Sequence, residues 1–203
     1  MEDGVLDEAT REKHIEMILQ KEAETKSEVS VEEAVEEVEK MKIVPAEEIE
    51  GVSCGEVSED EIPEVFALAE EMVKFCHEKQ GVGLAAPQIG INKKFFVWLD
   101  GDKWQLAINP TVFPDRKKSQ EVLERCLSYE GKYFRVKRYK KITAVFYSID
   151  GKTGNLKKYS RQLSGDRAWI FQHETDHING ITIATCGLDM TVPMEEQLLK
   201  RGE

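Results

Sequence analysis

Between residues 62 and 76, Val65, Leu68, Ala69, Met72, Val73 and Cys76 recur at a helical spacing that places them on one face. Ser58 and Glu61 fit a capping box ahead of it, and Pro63 suits a first helical turn. The repeat stops before Gly81. Beyond it the period changes. Phe95–Leu99 is a continuous apolar run closed by Asp100-Gly101, and Leu106–Ile108 leads into Asn109-Pro110, so two short strands are expected, the second ending at the proline. A third strand is expected over Ile142–Tyr147, before Asp150-Gly151. Residues 166–178 lack Gly and Pro and predict a helix that stops near Asn179-Gly180. A short final helix is expected over Pro193–Arg201, and residues 42–57, with Pro45, Gly51 and Gly55, read as loop.

A helix, then short strands, then a helix late in the chain is not regular βαβ alternation. The pattern predicts an α+β fold, with mostly antiparallel short strands around a central helix. Residues 1–40 predict a helical N-terminal extension. Ser30 and Glu33 form a second capping box, and Val31, Ala34, Val35, Val38 and Met41 follow at helical spacing. The expected organisation is an extension over 1–40 and a catalytic domain over 41–203.

Charge sharpens that division. The net charge of the chain is −11, and residues 1–40 hold 14 acidic and 5 basic side chains, a net −9. A basic nucleic-acid footprint is absent from the sequence. No apolar run approaches the roughly 18–20 residues needed to cross a bilayer, and the acidic start resembles neither a secretory signal nor a transit peptide. The expectation is a cytoplasmic protein of bacterial or viral type, or an organellar one if a presequence is missing. The four cysteines, Cys54, Cys76, Cys126 and Cys186, form no CxxC pair and are expected as thiols, apart from any that serves as a ligand or nucleophile.

The strongest chemical signal is His173-Glu174-Thr175-Asp176-His177. Histidines at i and i+4 project from one helix face and can grip one ion, with Glu174 placed to reach a water there. Two of the four histidines of the chain fall in this pattern, and the apolar run Ala168–Phe171 before it predicts a central helix. A catalytic metal site usually has a third protein ligand. By residue type alone this could be any of the four cysteines or many carboxylates, and a protease of the same helix type remains open.

Two further segments bear on the choice. Gly81-Val82-Gly83-Leu84-Ala85-Ala86-Pro87-Gln88 precedes Glu124-Arg125-Cys126-Leu127-Ser128, and the histidine motif comes last. In this order the three resemble the GxGxAAxQ, EGCLS and HExDH motifs of the peptide deformylase family. Ile108-Asn109-Pro110, Val136-Lys137-Arg138, Gln172 and Gly180 extend the resemblance across about residues 41–190. It implies a metal-dependent hydrolase that removes the formyl group from N-formyl-methionyl peptides, meeting the ribosome transiently. It implies Cys126, His173 and His177 as ligands of one divalent ion, most often Fe2+, with Zn2+, Ni2+ or Co2+ also accommodated by such donors. Glu174 is the implied proton carrier, with the Gln88 amide and the Leu127 backbone N–H as oxyanion donors. Gly81, Val82 and Gly83 would lie along an extended peptide, and Val82, Val122, Trp169 and the stem of Glu124 would line the methionine pocket.

The chain departs from the family at Arg125, where the motif has Gly, and at Ser128-Tyr129-Glu130-Gly131, where Ser-Val-Pro-Gly is usual. Arg125 is expected to place a cation beside Cys126 and to alter the peptide channel. Two other classes of function stay open on the sequence: another HExxH metallohydrolase, and a non-catalytic module that binds peptide N-termini.

Overall fold

A computed structural model of the chain describes residues 41–150 and 153–191. The helices expected within 1–40 and over 193–201 lie outside the described residues. A five-stranded sheet has the order β1-β2-β3-β6-β7, from β1 (Gly83–Ala85), β2 (Phe95–Asp100), β3 (Lys103–Pro114), β6 (Lys141–Ile149) and β7 (Leu156–Ser164). A three-stranded sheet has the order β4-β5-β8, from β4 (Ser119–Glu124), β5 (Phe134–Tyr139) and β8 (Gly187–Asp189). Every ladder is antiparallel, which agrees with the expected α+β class. The helices are α1 (Ile62–Glu78), α2 (Asp166–Ile178) and the single turn α3 (Ile183–Cys186). No described helix is long and apolar enough to cross a membrane.

The apolar run of β2 has a physical cause in this layering. Phe95 and Val97 join Leu84, Leu106 and Ile108 on one face of the large sheet, packed with Val65, Phe66, Ala69, Met72 and Cys76 of α1. Phe96 and Trp98 point the other way, with Ala85 and Ala107, and pack with Ala168, Phe171 and Ile178 of α2. Successive strand residues face opposite sides, so a strand covered on both sides must be apolar throughout. Phe171 anchors the second layer, edge-on to Phe96 at 4.9 Å and to Trp98 at 5.1 Å. Emptying such a site costs about 3–5 kcal/mol, a large part of a domain stability of about 5–15 kcal/mol.

Both expected long helices form at the expected places, and the Ser58–Glu61 box closes, with the Ser58 N–H donating to Glu61 Oε2 at 2.8 Å. The expected end of a strand at Pro110 is corrected. β3 continues to Pro114 through a register shift between Ile108 and Thr111. Asn109 takes a left-handed φ of 48° there, and its amide clasps Val57, accepting from the N–H and donating to the carbonyl at 2.9 Å each. A bulge spares Pro110 the ladder bond it cannot make.

The end of α2 is held by the loop before α1. Gly51 N–H donates to Gly180 O at 2.8 Å and Cys54 N–H to Ile178 O at 3.0 Å. Gly180 has φ +73°, and a Cβ on it would sit 2.5 Å from Val52 N, so glycine is required there.

Candidate metal centre and active site

α2 carries His173 and His177 one turn apart, and their Nε2 atoms lie 3.2 Å from each other. The segment after β4 brings Cys126 Sγ to 3.3 Å from His177 Nε2. The three ligand atoms lie within 4.8 Å of one another, and Cys126 and His177 are buried. Tetrahedral coordination with ordinary zinc–nitrogen and zinc–sulfur bond lengths needs donor separations of about 3.3–3.6 Å. One thiolate and two imidazoles at these spacings fit a divalent transition-metal ion.

The ring of His173 is oriented from behind. Its Nδ1 lies 2.9 Å from Glu124 Oε2, which leaves Nε2 for the shared centre. Glu124 is held in turn by a two-pronged pair with Arg138, Nε to Oε1 at 2.7 Å and Nη2 to Oε2 at 2.9 Å, and Arg138 Nη1 also reaches Asp176. Burial opposes the charge on Glu124, but Arg138 and His173 outweigh it and hold the carboxyl down to about 2. Burial also opposes a charged His173, and hydrogen bonds to Cys126 and Glu124 override it and push this histidine up. His177 is held down to about 4, by burial first and then by the charge of His173.

Glu174 is 4% exposed, and its Oε2 is buried with no hydrogen-bond partner. Burial pushes its carboxyl up to about 7, against the opposing pull of His173 and His177. An unpartnered buried carboxylate oxygen is costly, and a group with this pKa can both take and return a proton near neutrality. β1 lies over it at the edge of the large sheet. Gly83 faces the α2 side, and a Cβ there would stand 2.2 Å from Glu174 Oε1. Only a glycine admits the carboxylate at that spot. The Gly83 carbonyl accepts from Cys76 Sγ at 3.3 Å on the α1 side.

Gln88 is 1% exposed, and its Oε1 accepts from the Ala85 N–H at 2.9 Å. That bond assigns the two ends of the amide. Nε2 therefore faces the centre, 3.5 Å from Cys126 Sγ and 3.2 Å from Ser128 Oγ. Leu127 is packed beside Gly81, where a Cβ would lie 3.2 Å from its Cδ1. Val82 is 48% exposed, and its carbonyl accepts from the Leu99 N–H at 2.8 Å.

Cys126, His173, His177, Glu174, Gln88, Leu127 and the Gly81–Gly83 segment thus come together. Three other expected residues make contacts that the sequence did not show. Arg125 is exposed, and its guanidinium lies 5.6 Å over the ring of Tyr133, so the expected cation beside Cys126 is a cation on an aromatic face. Glu124 spends its carboxylate on His173 and Arg138. Trp169 packs at the edge of the α2 core cluster, with its Nε1 buried and without a hydrogen-bond partner. Arg138 and Ser128 have site contacts that their sequence positions did not reveal. Val136-Lys137-Arg138 marked the stretch, but nothing in it shows that Arg138 points inward.

The polypeptide deformylase family model matches residues 44–187. A peptide deformylase of Fusobacterium nucleatum is 34% identical over 148 residues, which cover 72% of this chain and 80% of that protein. The crystal structure of peptide deformylase from Thermotoga maritima superposes with a TM-score of 0.64 at 28% identity, covering 72% of this chain and 96% of that one. A peptide deformylase from Synechococcus elongatus in complex with actinonin gives 0.65 at 25% identity, covering 80% and 86%. A family match over most of the chain, a relative above 30% identity and the shared fold agree: the chain belongs to the polypeptide deformylase family.

Proposed function

We propose that this protein is a peptide deformylase, a hydrolase that removes the N-formyl group from newly made peptides and releases formate. The observation that carries this reading is the meeting of three donor atoms with an unpartnered, buried Glu174 under the edge strand β1. In this reading residues 41–203 are the catalytic domain and 1–40 an extension. Cys126, His173 and His177 hold one divalent ion, which we read as ferrous iron. When bound, such an ion acts as a Lewis acid that polarises the formyl oxygen and makes water more acidic.

The residues of the chain supply the rest. Gly81 and Val82, just before the outer strand β1, and Gly83 at its start offer their backbone to an extended peptide. Val82 and Trp169 border the space for the methionine side chain, with Val122 and the Glu124 stem behind them. Glu174 takes a proton from the attacking water and delivers it to the leaving nitrogen. Gln88 Nε2 donates to the oxygen that gains charge on the formyl carbon. The Leu127 N–H, which has no acceptor among the described residues, donates to the same oxygen. Glu124 and Arg138 keep His173 turned toward the centre. Formylated chains emerge from the ribosome, so a transient encounter with it belongs to the same reading.

The test is formate release from formyl-Met-Ala-Ser by anaerobically metal-loaded protein, with acetyl-Met-Ala-Ser and Met-Ala-Ser as controls. Release from the formylated peptide alone is expected. Cleavage of an internal peptide bond, or tight binding without turnover, would overturn the assignment.

A further inference from the structure

Cys126 and the two histidines reach the candidate metal centre from different elements. His173 and His177 ride on α2, while Cys126 sits in the loop 125–133 that joins β4 to β5. The 3.3 Å approach of Cys126 Sγ to His177 Nε2 therefore depends on how firmly that loop is held against α2. The loop contains no proline, because Tyr129-Glu130 stands where the family has Val-Pro. A proline fixes its own φ and restricts the residue before it, and this loop lacks that restraint.

Tyr129 is held instead by tertiary contacts. Its N–H donates to Cys126 O at 3.0 Å and closes the turn that contains Leu127. Its ring packs 5.4 Å from that of the buried Phe134. Its hydroxyl donates to Glu50 Oε1 at 2.7 Å, and Thr182 Oγ1 donates to the same oxygen at 2.8 Å. Bonds to an ionised acceptor are the stronger kind. The two hydroxyls hold the Glu50 carboxyl below its ordinary value, Tyr129 contributing most. Glu50 and Thr182 both belong to the end of α2. The residue after Glu50, Gly51, donates its N–H to Gly180 O at 2.8 Å, and Thr182 stands just beyond the helix. A valine at position 129 has no hydroxyl with which to join them. At the other end of the loop, Arg138 ties Glu124 to Asp176 of α2. The two anchors bracket Cys126 and Leu127.

We propose that Tyr129 and Glu50 are positioning residues for the candidate metal centre. Their phenol–carboxylate bond locks the Cys126–Tyr129 turn onto the end of α2. It thereby fixes the Cys126 sulfur as a ligand and the Leu127 N–H as a donor to the reacting oxygen. This rests on the metal site and the reaction proposed above.

The full-length protein, loaded anaerobically with Co2+, tests this by competition with a chelator, read by the thiolate-to-cobalt absorption. Tyr129→Phe keeps the ring and removes the hydroxyl. Its Co2+ affinity is expected to fall roughly 10-fold, and kcat of the metal-saturated variant on formyl-Met-Ala-Ser by a similar factor, with KM within about twofold. Glu50→Ala is expected to do the same. The double variant should be no more than about twofold worse than either single one, because both remove one bond. Glu50→Gln keeps an acceptor oxygen and is expected to stay within about twofold of the wild-type affinity. Phe66→Leu, in the α1 layer, is expected to lower Tm with no loss of Co2+ affinity. Wild-type affinity in Tyr129→Phe, additive losses in the double variant, or an equal loss in Phe66→Leu would each overturn the proposal. If Tyr129→Phe does not fold, Glu50→Ala carries the test. Wild-type protein that binds no Co2+ overturns the metal site and the lock together. Wild-type protein that binds Co2+ and releases no formate overturns the reaction alone, so the readings fail separately.

Discussion

The Glu124 carboxylate stands 2.9 Å from His173 Nδ1 while Arg138 grips both of its oxygens. One side chain thus ties a ring at the candidate metal centre to β5. Glu124→Gln removes the charge that orients His173 and leaves Arg138 with Asp176 alone. Metal affinity, read by competition with a chelator, is expected to fall roughly 10–100-fold. Stability should fall by about 3 kcal/mol, because a buried guanidinium loses its principal partner. Unchanged metal affinity would show that His173 needs no help from behind.

Glu174→Gln keeps the shape and removes the base. Formate release is expected to drop by roughly 10²–10⁴ in kcat, with metal content by elemental analysis unchanged. A variant that keeps most of its activity would move the proton transfer elsewhere.

Gly83→Ala pushes a methyl group to 2.2 Å from Glu174 Oε1, so either β1 or the carboxylate must move. Displacing a reacting group by about 1 Å costs roughly 100-fold in rate. The expected result is a loss of about 10–100-fold in kcat in a protein that still folds and binds metal. Wild-type kcat in that variant would mean that the close approach has no part in the reaction.

Arg125→Gly restores the residue usual in the family and frees the face of Tyr133. Exposed cation–aromatic pairs contribute about 0.5–1 kcal/mol, so Tm should hardly change. KM for formylated peptides of three or more residues is expected to shift by at least about threefold, because a glycine frees the backbone next to Cys126. Equal KM values across a peptide series would exclude Arg125 from substrate selection.

Glu61 gives a pH signature far from the active site. Hydrogen bonds from Lys93, and then from the Ser58 backbone, hold its carboxyl down to about 2. The folded value lies below the ordinary 4.5, so the contribution is full above about 4.5 and disappears as pH falls through about 2. Glu61→Gln should therefore lower Tm at pH 7, with the gap to wild type narrowing below pH 4.5. A gap that is constant with pH would assign the effect to packing.

Much of this was legible in the chain itself. α1 and α2 follow from a 3.6-residue repeat and from a Gly- and Pro-free stretch, and those signals are local. β2 was visible because a strand covered on both faces must be apolar at every position. β7 was not, because Leu156–Ser164 has mainly polar side chains and only Leu163 is buried. An outer strand satisfies its ladder from one neighbour and needs little apolar surface to do so. Asn109-Pro110 misled for a related reason, since a proline ends a regular strand but is tolerated at a bulge.

The histidine motif showed two donors at one helical turn, and Glu174 beside them, without any tertiary information. The partner on Nδ1 of His173, the approach of Gln88 Nε2 to Cys126, and the fit of Gly83 over Glu174 join residues 38 to 91 positions apart in the chain. No local spacing encodes such approaches. They arise because β1, the end of β4 and α2 converge where the two sheets meet. There burial takes Glu174 out of water and leaves its proton exchangeable near neutrality.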